Sequence, residues 1–438
     1  MKTKKAILAA VAATISGIVA LSFAGCQWFD FSSRRNTASV SGQLGYENGM
    51  GAWLASEVDS PRSSAWDMYQ EAKAHNAIDD SVSFMDFLKM LNDDSASLTT
   101  SLRASVAIDA GKGYGSGVIY SLQEEKDGLN AYVITNYHVA YDGSGISRKF
   151  ATYLYGDTFG DSKSARSTTY VGGSSIEDIA VLSVKIPNDR ADFVQSITDH
   201  AGKRNSDDVN VGERVYAIGN PYGAGISAVS GVVAVEAEYT WLQGITSDDA
   251  VKTLTMRIDA PVNPGNSGGG LFDVRGTFLG LVSGSNEQEV GEGSVPIGGF
   301  GYALPANRVV SVAQSIIDNL ENETQVAFKG LLGELAIVSS RGEFNSSTNT
   351  IDIVETVKIT NVNSKSPFGA DIDNKVLQRI EVQDDQGDTI VKADILRMHQ
   401  VETILYNLRK GFTVTLHFEG GGKATATYDT DGHFEQVY

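Results

Sequence analysis

A single cysteine stands among 438 residues, so no internal disulfide is available to staple the fold. Histidine is scarce as well, six in all, and no Cys/His cluster has the spacing of a zinc site. Neither a metal nor a cofactor is expected. Basic residues are outnumbered, 35 Lys and Arg against 54 Asp and Glu, which leaves a formal net charge of −19 at pH 7. Such a chain repels phosphate backbones and anionic headgroups, and nucleic acid is excluded as an expected partner. What remains is ordinary: 42% hydrophobic residues, enough for packed cores, in a length that predicts two or three domains.

The cysteine has its own explanation. Lys2, Lys4 and Lys5 open the chain, an apolar run fills residues 6–24, and Gly25-Cys26 follows. That is the charged, apolar and small-residue order of an export signal. Ser22-Phe23-Ala24-Gly25-Cys26 resembles a bacterial lipobox, with Phe23 where leucine is usual. The resemblance implies acylation at Cys26 and a membrane-anchored lipoprotein with residues 1–26 as its signal peptide. The alternative is an uncleaved signal anchor, since the run is long enough to span a bilayer. Both place the rest of the chain outside the cytoplasm, in the cell envelope.

Residues 27–52, rich in Ser, Gly and Asn, read as a flexible tether. Residues 53–100 hold apolar residues at helical spacing (Trp66, Tyr69; Phe84, Phe87, Leu88, Leu91), with Ser83 and Asp86 as a helix start. They predict a short helical segment, a spacer or a regulator, with His75 solvated in its turn. From residue 101 to 322 the texture changes to short apolar runs parted by Gly, Asn and Asp, such as Val118-Ile119-Tyr120 and Val133-Ile134-Thr135. These predict a mainly β barrel or sandwich region closed by a helix after Pro305. Residues 326–430 alternate strand-like runs with a helical stretch over 392–408, an α+β module.

Chemistry concentrates at three places. Asn263-Pro264-Gly265-Asn266-Ser267-Gly268-Gly269 sets a serine among glycines; Thr135-Asn136-Tyr137-His138 sets a histidine where an apolar strand runs out; Glu177-Asp178-Ile179-Ala180 sets an aspartate where another begins. Acyl transfer needs this trio. A serine hydroxyl is a weak nucleophile until a neutral imidazole takes its proton, and the imidazole needs a carboxylate to fix its tautomer. Glycines around the serine let the turn aim its amides inward, so Gly265, Asn266 and Ser267 are the candidate oxyanion donors, Gly265 and Ser267 foremost. The segment also fits the G-x-S-x-G elbow of α/β-hydrolases, where acid and histidine follow the serine. Here only His399, His417 and His433 follow, all in the C-terminal module, and alternating helices are missing before it. The order His, Asp, Ser matches chymotrypsin-like barrels.

With Gly115-Ser116-Gly117, Gly219-Asn220-Pro221, Ser230-Gly231-Val232 and Gly301-Tyr302-Ala303, these motifs resemble the HtrA (Deg) family of serine proteases over about residues 102–425. The resemblance implies a trypsin-like double six-stranded β-barrel followed by a PDZ-like domain. It implies His138 as general base, Asp178 as its orienting carboxylate and Ser267 as nucleophile. It implies a pocket wall at Leu281, Val282, Ser283 and Gly284. Pro261 stands where trypsin-like enzymes specific for Lys or Arg carry an Asp, so no basic-selective pocket is implied. Asn266 replaces the Asp that pairs with a new N-terminus in digestive relatives, which leaves loop ordering, with residues 284–299 as candidate, as the implied switch. Gly330-Leu331-Leu332-Gly333 resembles the loop on which PDZ domains capture a peptide carboxylate. A structural or trimer-supporting role for that module is the alternative. The whole implies an exported serine endopeptidase acting on unfolded or damaged proteins or peptides, homotrimeric by family analogy. A peptide-binding adaptor with a silent protease site is the competing class.

The export reading predicts a mature protein that begins at Cys26 carrying acyl chains. Mass spectrometry of the N-terminal peptide checks it: an unmodified Met1 terminus on membrane-bound protein replaces the lipoprotein with the signal anchor.

Overall fold

The structure, a computed structural model, describes residues 65–428 except 75–77, 80, 92–94, 199–201, 243–250, 291–292, 323–328, 347–349, 363 and 365. The export signal with Cys26, the tether, and both His75 and His200 lie outside the described residues. Among those described, no helix is long and apolar enough to cross a membrane. The chain divides into two compact units, residues 1–98 with 346–348, and residues 99–345 with 349–438.

In the first unit, α1 (Ala65–Ala74) and α2 (Phe84–Leu91) form around Tyr69, whose ring lies 5.4 Å from Phe84 and 5.5 Å from Phe87. Ser83 caps α2 as its sequence suggests: the hydroxyl accepts the Asp86 amide at 3.1 Å. A third helix, α3 (Ser95–Arg103), is additional to the two that the apolar spacing predicts. Its small polar residues carry no clear stripe.

Two closed barrels dominate the second unit. The first comprises β1 (Ser105–Asp109), β2 (Tyr114–Glu125), β3 (Gly128–Thr135), β4 (Phe150–Leu154), β5 (Arg166–Ser174) and β6 (Ile179–Pro187), in the order β1-β2-β3-β6-β5-β4. A one-turn helix, α4 (Tyr137–Ala140), follows β3. Val106, Ile108, Ile119, Val133 and Leu182 fill this barrel. Gly128 turns the chain between β2 and β3 at φ 143°, where a Cβ would lie 2.0 Å from the Ile186 carbonyl oxygen. Only glycine fits there.

The second barrel comprises β7 (Arg214–Gly219), β8 (Ser227–Leu242), β9 (Val251–Ile258), β10 (Gly270–Asp273), β11 (Phe278–Val290) and β12 (Gly293–Pro305), in the order β10-β11-β12-β9-β8-β7. Closure pairs every strand of each barrel with two neighbours, so neither barrel has an edge strand among the described residues. Residues 284–299 are expected as a loop; of these, 284–290 and 293–299 instead prolong β11 and β12, paired out to Val290 and Gly293. Frequent glycines dilute the alternation that would have revealed these strands.

Helix α5 (Ala306–Asn322) leads from the barrels to a sheet of β13 (Glu334–Asn345), β14 (Thr350–Thr360), β15 (Val376–Gln383), β16 (Thr389–Asp394), β17 (Thr413–Phe418) and β18 (Lys423–Thr427). Its order is β13-β14-β15-β17-β18, with β16 beside β15. One helix, α6 (Met398–Tyr406), packs on it through Val401 and Leu405. The helical stretch expected over 392–408 is thus shorter, because Lys392, Ala393 and Asp394 pair with β15 as strand. Trypsin-like double-barrel architecture, mainly β, with an α+β C-terminal module describes the second unit.

Phe272 is fully buried, 5.9 Å edge-to-face from Phe278, and Gly270 makes room for it, since a Cβ there would sit 2.3 Å from its ring. Phe272→Ala is expected to cost about 3–5 kcal/mol of stability. The check is the denaturation midpoint, which falls with the slope unchanged.

Candidate active site

Three chain segments converge where the barrels meet. Strand β3 ends at Thr135, buried Asn136 follows, and α4 carries His138 on its first turn. Asp178 immediately precedes β6 and adopts a left-handed backbone, φ 52°, unusual for a residue with a side chain. Ser267 lies in the turn between β9 and β10.

The imidazole Nδ1 lies 3.0 Å from each carboxylate oxygen of Asp178, and Oδ1 also accepts the His138 backbone amide at 3.0 Å. This arrangement places the proton on Nδ1 and leaves the Nε2 lone pair free to accept another. Burial pushes the His138 pKa down, but the Asp178 charge and hydrogen bond outweigh it, so the imidazole titrates above its ordinary value of 6.5. Asp178 Oδ2 accepts a further bond from the Ser283 hydroxyl at 2.8 Å, and its backbone carbonyl accepts Asn136 Nδ2 at 3.0 Å.

The Ser267 hydroxyl donates to the Ser283 carbonyl at 2.9 Å. A hydroxyl has one proton to give, so in this state it is not given to the imidazole; a turn about χ1 is needed to redirect it. His138, Gly265 and Ser267 nevertheless line one open cleft of about 320 Å³, together with Lys112, Tyr114 and Tyr141.

The serine turn is fixed from several sides. The Pro264 carbonyl accepts the Tyr222 amide at 2.8 Å, and a trans peptide then points the Gly265 amide the opposite way. Gly265 itself sits at φ 99°, where a Cβ would come within 2.2 Å of the Asn220 carbonyl oxygen. The Asn266 amide donates to the Asn263 carbonyl at 2.9 Å. It therefore cannot serve an oxyanion, and the three candidate donors reduce to Gly265 and Ser267.

The expected pocket wall also changes. Leu281 and Val282 are fully buried, Val282 within the core of the second barrel, and neither lines the cleft beside Ser267. The strand's contribution here is Ser283, which touches both the carboxylate and the serine. Gly284 lies beyond it with open space around its Cα. Ser116 is the residue sequence reasoning passed over. Its amide donates to the Ser267 carbonyl at 2.8 Å and its hydroxyl to the Gly265 carbonyl at 2.6 Å, while that hydroxyl accepts the Asn220 amide at 2.8 Å. The glycines flanking Ser116 in Gly115-Ser116-Gly117 were its signal: a Cβ at Gly115 would meet Val139 at 2.6 Å.

In the C-terminal module, Leu331 and Leu332 bury their side chains in the core, and Gly333 turns at φ 114° into β13, an edge strand of its sheet. Gly330 lies in the short helical turn just before them.

Residues 115–281 match the family described as a trypsin-like peptidase domain. The chain is 32% identical to the serine protease Do-like HtrA of Lactococcus lactis over 49% of its own length and 46% of that protein's. It is 33% identical to the serine protease Do-like HtrA of Bacillus subtilis, over 51% and 43%. With the periplasmic pH-dependent serine endoprotease DegQ of Escherichia coli it shares 33% identity over 51% and 40%. The chain thus spans less than half the length of each of these relatives. A solved HtrA-type protease AlgW with tripeptide aligns over 77% of this chain and 97% of that one, at 19% identity and a TM-score of 0.46. Over its trypsin-like region and these aligned segments, the chain is similar to HtrA serine proteases.

Proposed function

We propose that the protein is a serine endopeptidase that cleaves polypeptides through an acyl-enzyme, with His138, Asp178 and Ser267 as its triad. The observation that carries this reading is the Nδ1 of His138 held 3.0 Å from both Asp178 oxygens beside a serine on the same cleft. In the reaction, the Ser267 hydroxyl turns to Nε2 and gives up its proton as Oγ attacks the scissile carbonyl carbon. The carbonyl oxygen becomes an oxyanion between the Gly265 and Ser267 amides, while Asp178 stabilises the imidazolium. Collapse breaks the C–N bond, and Nε2–H protonates the departing amine. Water then gives a proton to Nε2 and attacks the ester; a second collapse releases the acid and returns the proton to Ser267.

The substrates proposed are unfolded or damaged proteins of the cell envelope, with the chain exported and held at the membrane by Cys26 or a signal anchor. A relative named as periplasmic supports the compartment. Capture of a peptide terminus at Gly330, Leu331, Leu332 and Gly333 is supported by β13 pairing only β14 among the described residues, which leaves a side that suits addition of an extended peptide. A homotrimer is proposed from the family likeness.

Wild-type protein is expected to react with a fluorophosphonate at Ser267 and to degrade casein, and Ser267→Ala to do neither. Folded wild-type protein that neither labels nor cleaves would transfer the reading to a peptide-binding adaptor. Activity requires neutral His138, whose pKa stands above 6.5, so kcat/KM is expected to rise with pH through a limb displaced above that value. Asp178→Asn moves this limb to lower pH and reduces kcat by about 10⁴. Ser283→Ala, which removes one hydrogen bond to the carboxylate, lowers kcat by about tenfold. A pH–rate profile of each variant checks both.

A further inference from the structure

Behind Asp178 lies a buried charge cluster that the proposed chemistry does not use. Glu177 is completely buried; its Oε2 accepts Arg308 Nη1 at 2.7 Å and its Oε1 accepts the Tyr406 hydroxyl at 2.9 Å. Arg308, on the first turn of α5 and 1% exposed, also donates through Nη2 to Glu402. Glu402 accepts the Tyr239 hydroxyl of β8 at 2.9 Å, and the guanidinium stands 5.4 Å from the centre of the Tyr406 ring. Glu402 and Tyr406 belong to α6, the helix of the C-terminal module. One arginine therefore bridges the residue beside Asp178 and α6, the last helix among the described residues.

Cohesion alone is a poor reason for this arrangement. Two buried carboxylates and one guanidinium lose more hydration than their attraction readily returns, and apolar side chains of equal volume would hold two surfaces together as well or better. Other contacts already dock α6 and the residues just after it: His399 on Asp207 at 3.0 Å, Asn407 on Ser311 at 2.7 Å, and Arg409 on Asp318 at 2.6 Å. The cluster differs in where it ends. Its far member is covalently next to the left-handed Asp178, a conformation that persists only where the neighbours over-determine it. On the other side of Asp178, strand β6 is fixed by its ladder with β3, Ala180 opposite Thr135. Glu177 supplies the restraint on the near side.

We propose that Glu177, Arg308, Glu402 and Tyr406 are positioning residues for the catalytic carboxylate, so that the helix of the C-terminal module is part of the support of the triad. The inference rests on the reading of Asp178 as the triad acid. Loosening the cluster lets the Glu177-Asp178 turn relax, which lengthens the carboxylate–imidazole hydrogen bond and removes the influence that raises the His138 pKa.

The test uses the full chain and substitutes the C-terminal side, remote from the cleft: Tyr406→Phe and Glu402→Gln. Three quantities are read: kcat against KM on a peptide substrate, the acidic limb of kcat/KM, and the far-downfield proton resonance of His138 Nδ1–H. The expected result for Tyr406→Phe is a kcat lower by about tenfold, KM within about twofold, a limb at lower pH and a weakened downfield resonance. Arg308→Lys, which keeps the charge but not the fork, falls between wild type and Arg308→Met. Asp318→Asn, which breaks another pair on the same helix contact, lowers Tm and leaves kcat, limb and resonance unchanged. The proposal is overturned if Tyr406→Phe and Glu402→Gln lower Tm as Asp318→Asn does while all three quantities stay at wild-type values. The resonance needs no turnover. If wild-type protein fails to cleave yet Tyr406→Phe shifts the signal, the proteolytic reading fails and the positioning stands; if wild type cleaves and the signal stays fixed, the positioning fails.

Discussion

A carboxylate that must face an imidazole is the constraint around which this fold is arranged. Asp178 accepts the His138 amide and Nδ1, the Ser283 hydroxyl and, through its backbone, the Asn136 side chain. Those partners come from both barrels, so the hydrogen bonds of one residue help set how the barrels meet. The His138 tautomer, the free Nε2 and the raised pKa all follow from the same contact. Any movement of Asp178 would be felt first at the His138 imidazole.

Ser267 is tied to the same seam by a different residue. Ser116, on β2 of the first barrel, holds the carbonyls of Gly265 and Ser267 and receives the Asn220 amide from the end of β7. Pinning the carbonyls of a turn orients its amides, because each peptide is planar. The geometry that suits oxyanion binding is thus imposed by acceptors and donors outside the turn, while the glycines within it supply the φ values that the turn needs. The resting hydroxyl of Ser267, bonded to Ser283, would give up one neutral hydrogen bond on rotating to His138, a cost of about 1 kcal/mol.

How much of this was legible in the sequence depends on whether a residue's role is local. His138, Asp178 and Ser267 announce themselves through motifs, and their convergence follows from a chain order that fits one fold and not another. The glycines were legible as a group, but Gly128 and Gly265 acquire reasons only once Ile186 and Asn220 are opposite them. Ser116 and Ser283 stood in the motif and the expected pocket wall, but their hydrogen-bonding roles were hidden because a serine in a strand has no periodicity, and their partners lie 149 and 105 residues away. Arg308 was hidden in a more instructive way. It sits beside the apolar stripe of α5 at Val309, Val312 and Ala313, where an arginine normally reads as solvated. Its burial is decided by Glu177 and Glu402, residues 131 and 94 positions distant, which no local pattern reports. The strands over 284–290 and 293–299 were lost to glycine content, and barrel closure turns Leu281 and Val282 inward.

The energies around Asp178 explain why its support has to come from behind. A non-glycine residue in the left-handed region costs roughly 1–3 kcal/mol, and a hydrogen bond to a charged group contributes about 1.5–3 kcal/mol, so the contacts in front suffice on paper. Yet under the proposed mechanism His138 gains and loses a proton in every cycle, and Ser283 lies beside the attacking hydroxyl. Restraints that take part in the reaction change strength as it proceeds. Asn136, fully buried on the Asp178 carbonyl, and Glu177, buried against Arg308, do not touch the reacting atoms. Only groups of that kind can hold the carboxylate at constant geometry while the charge on its neighbour switches, which is the condition for electrostatic preorganisation.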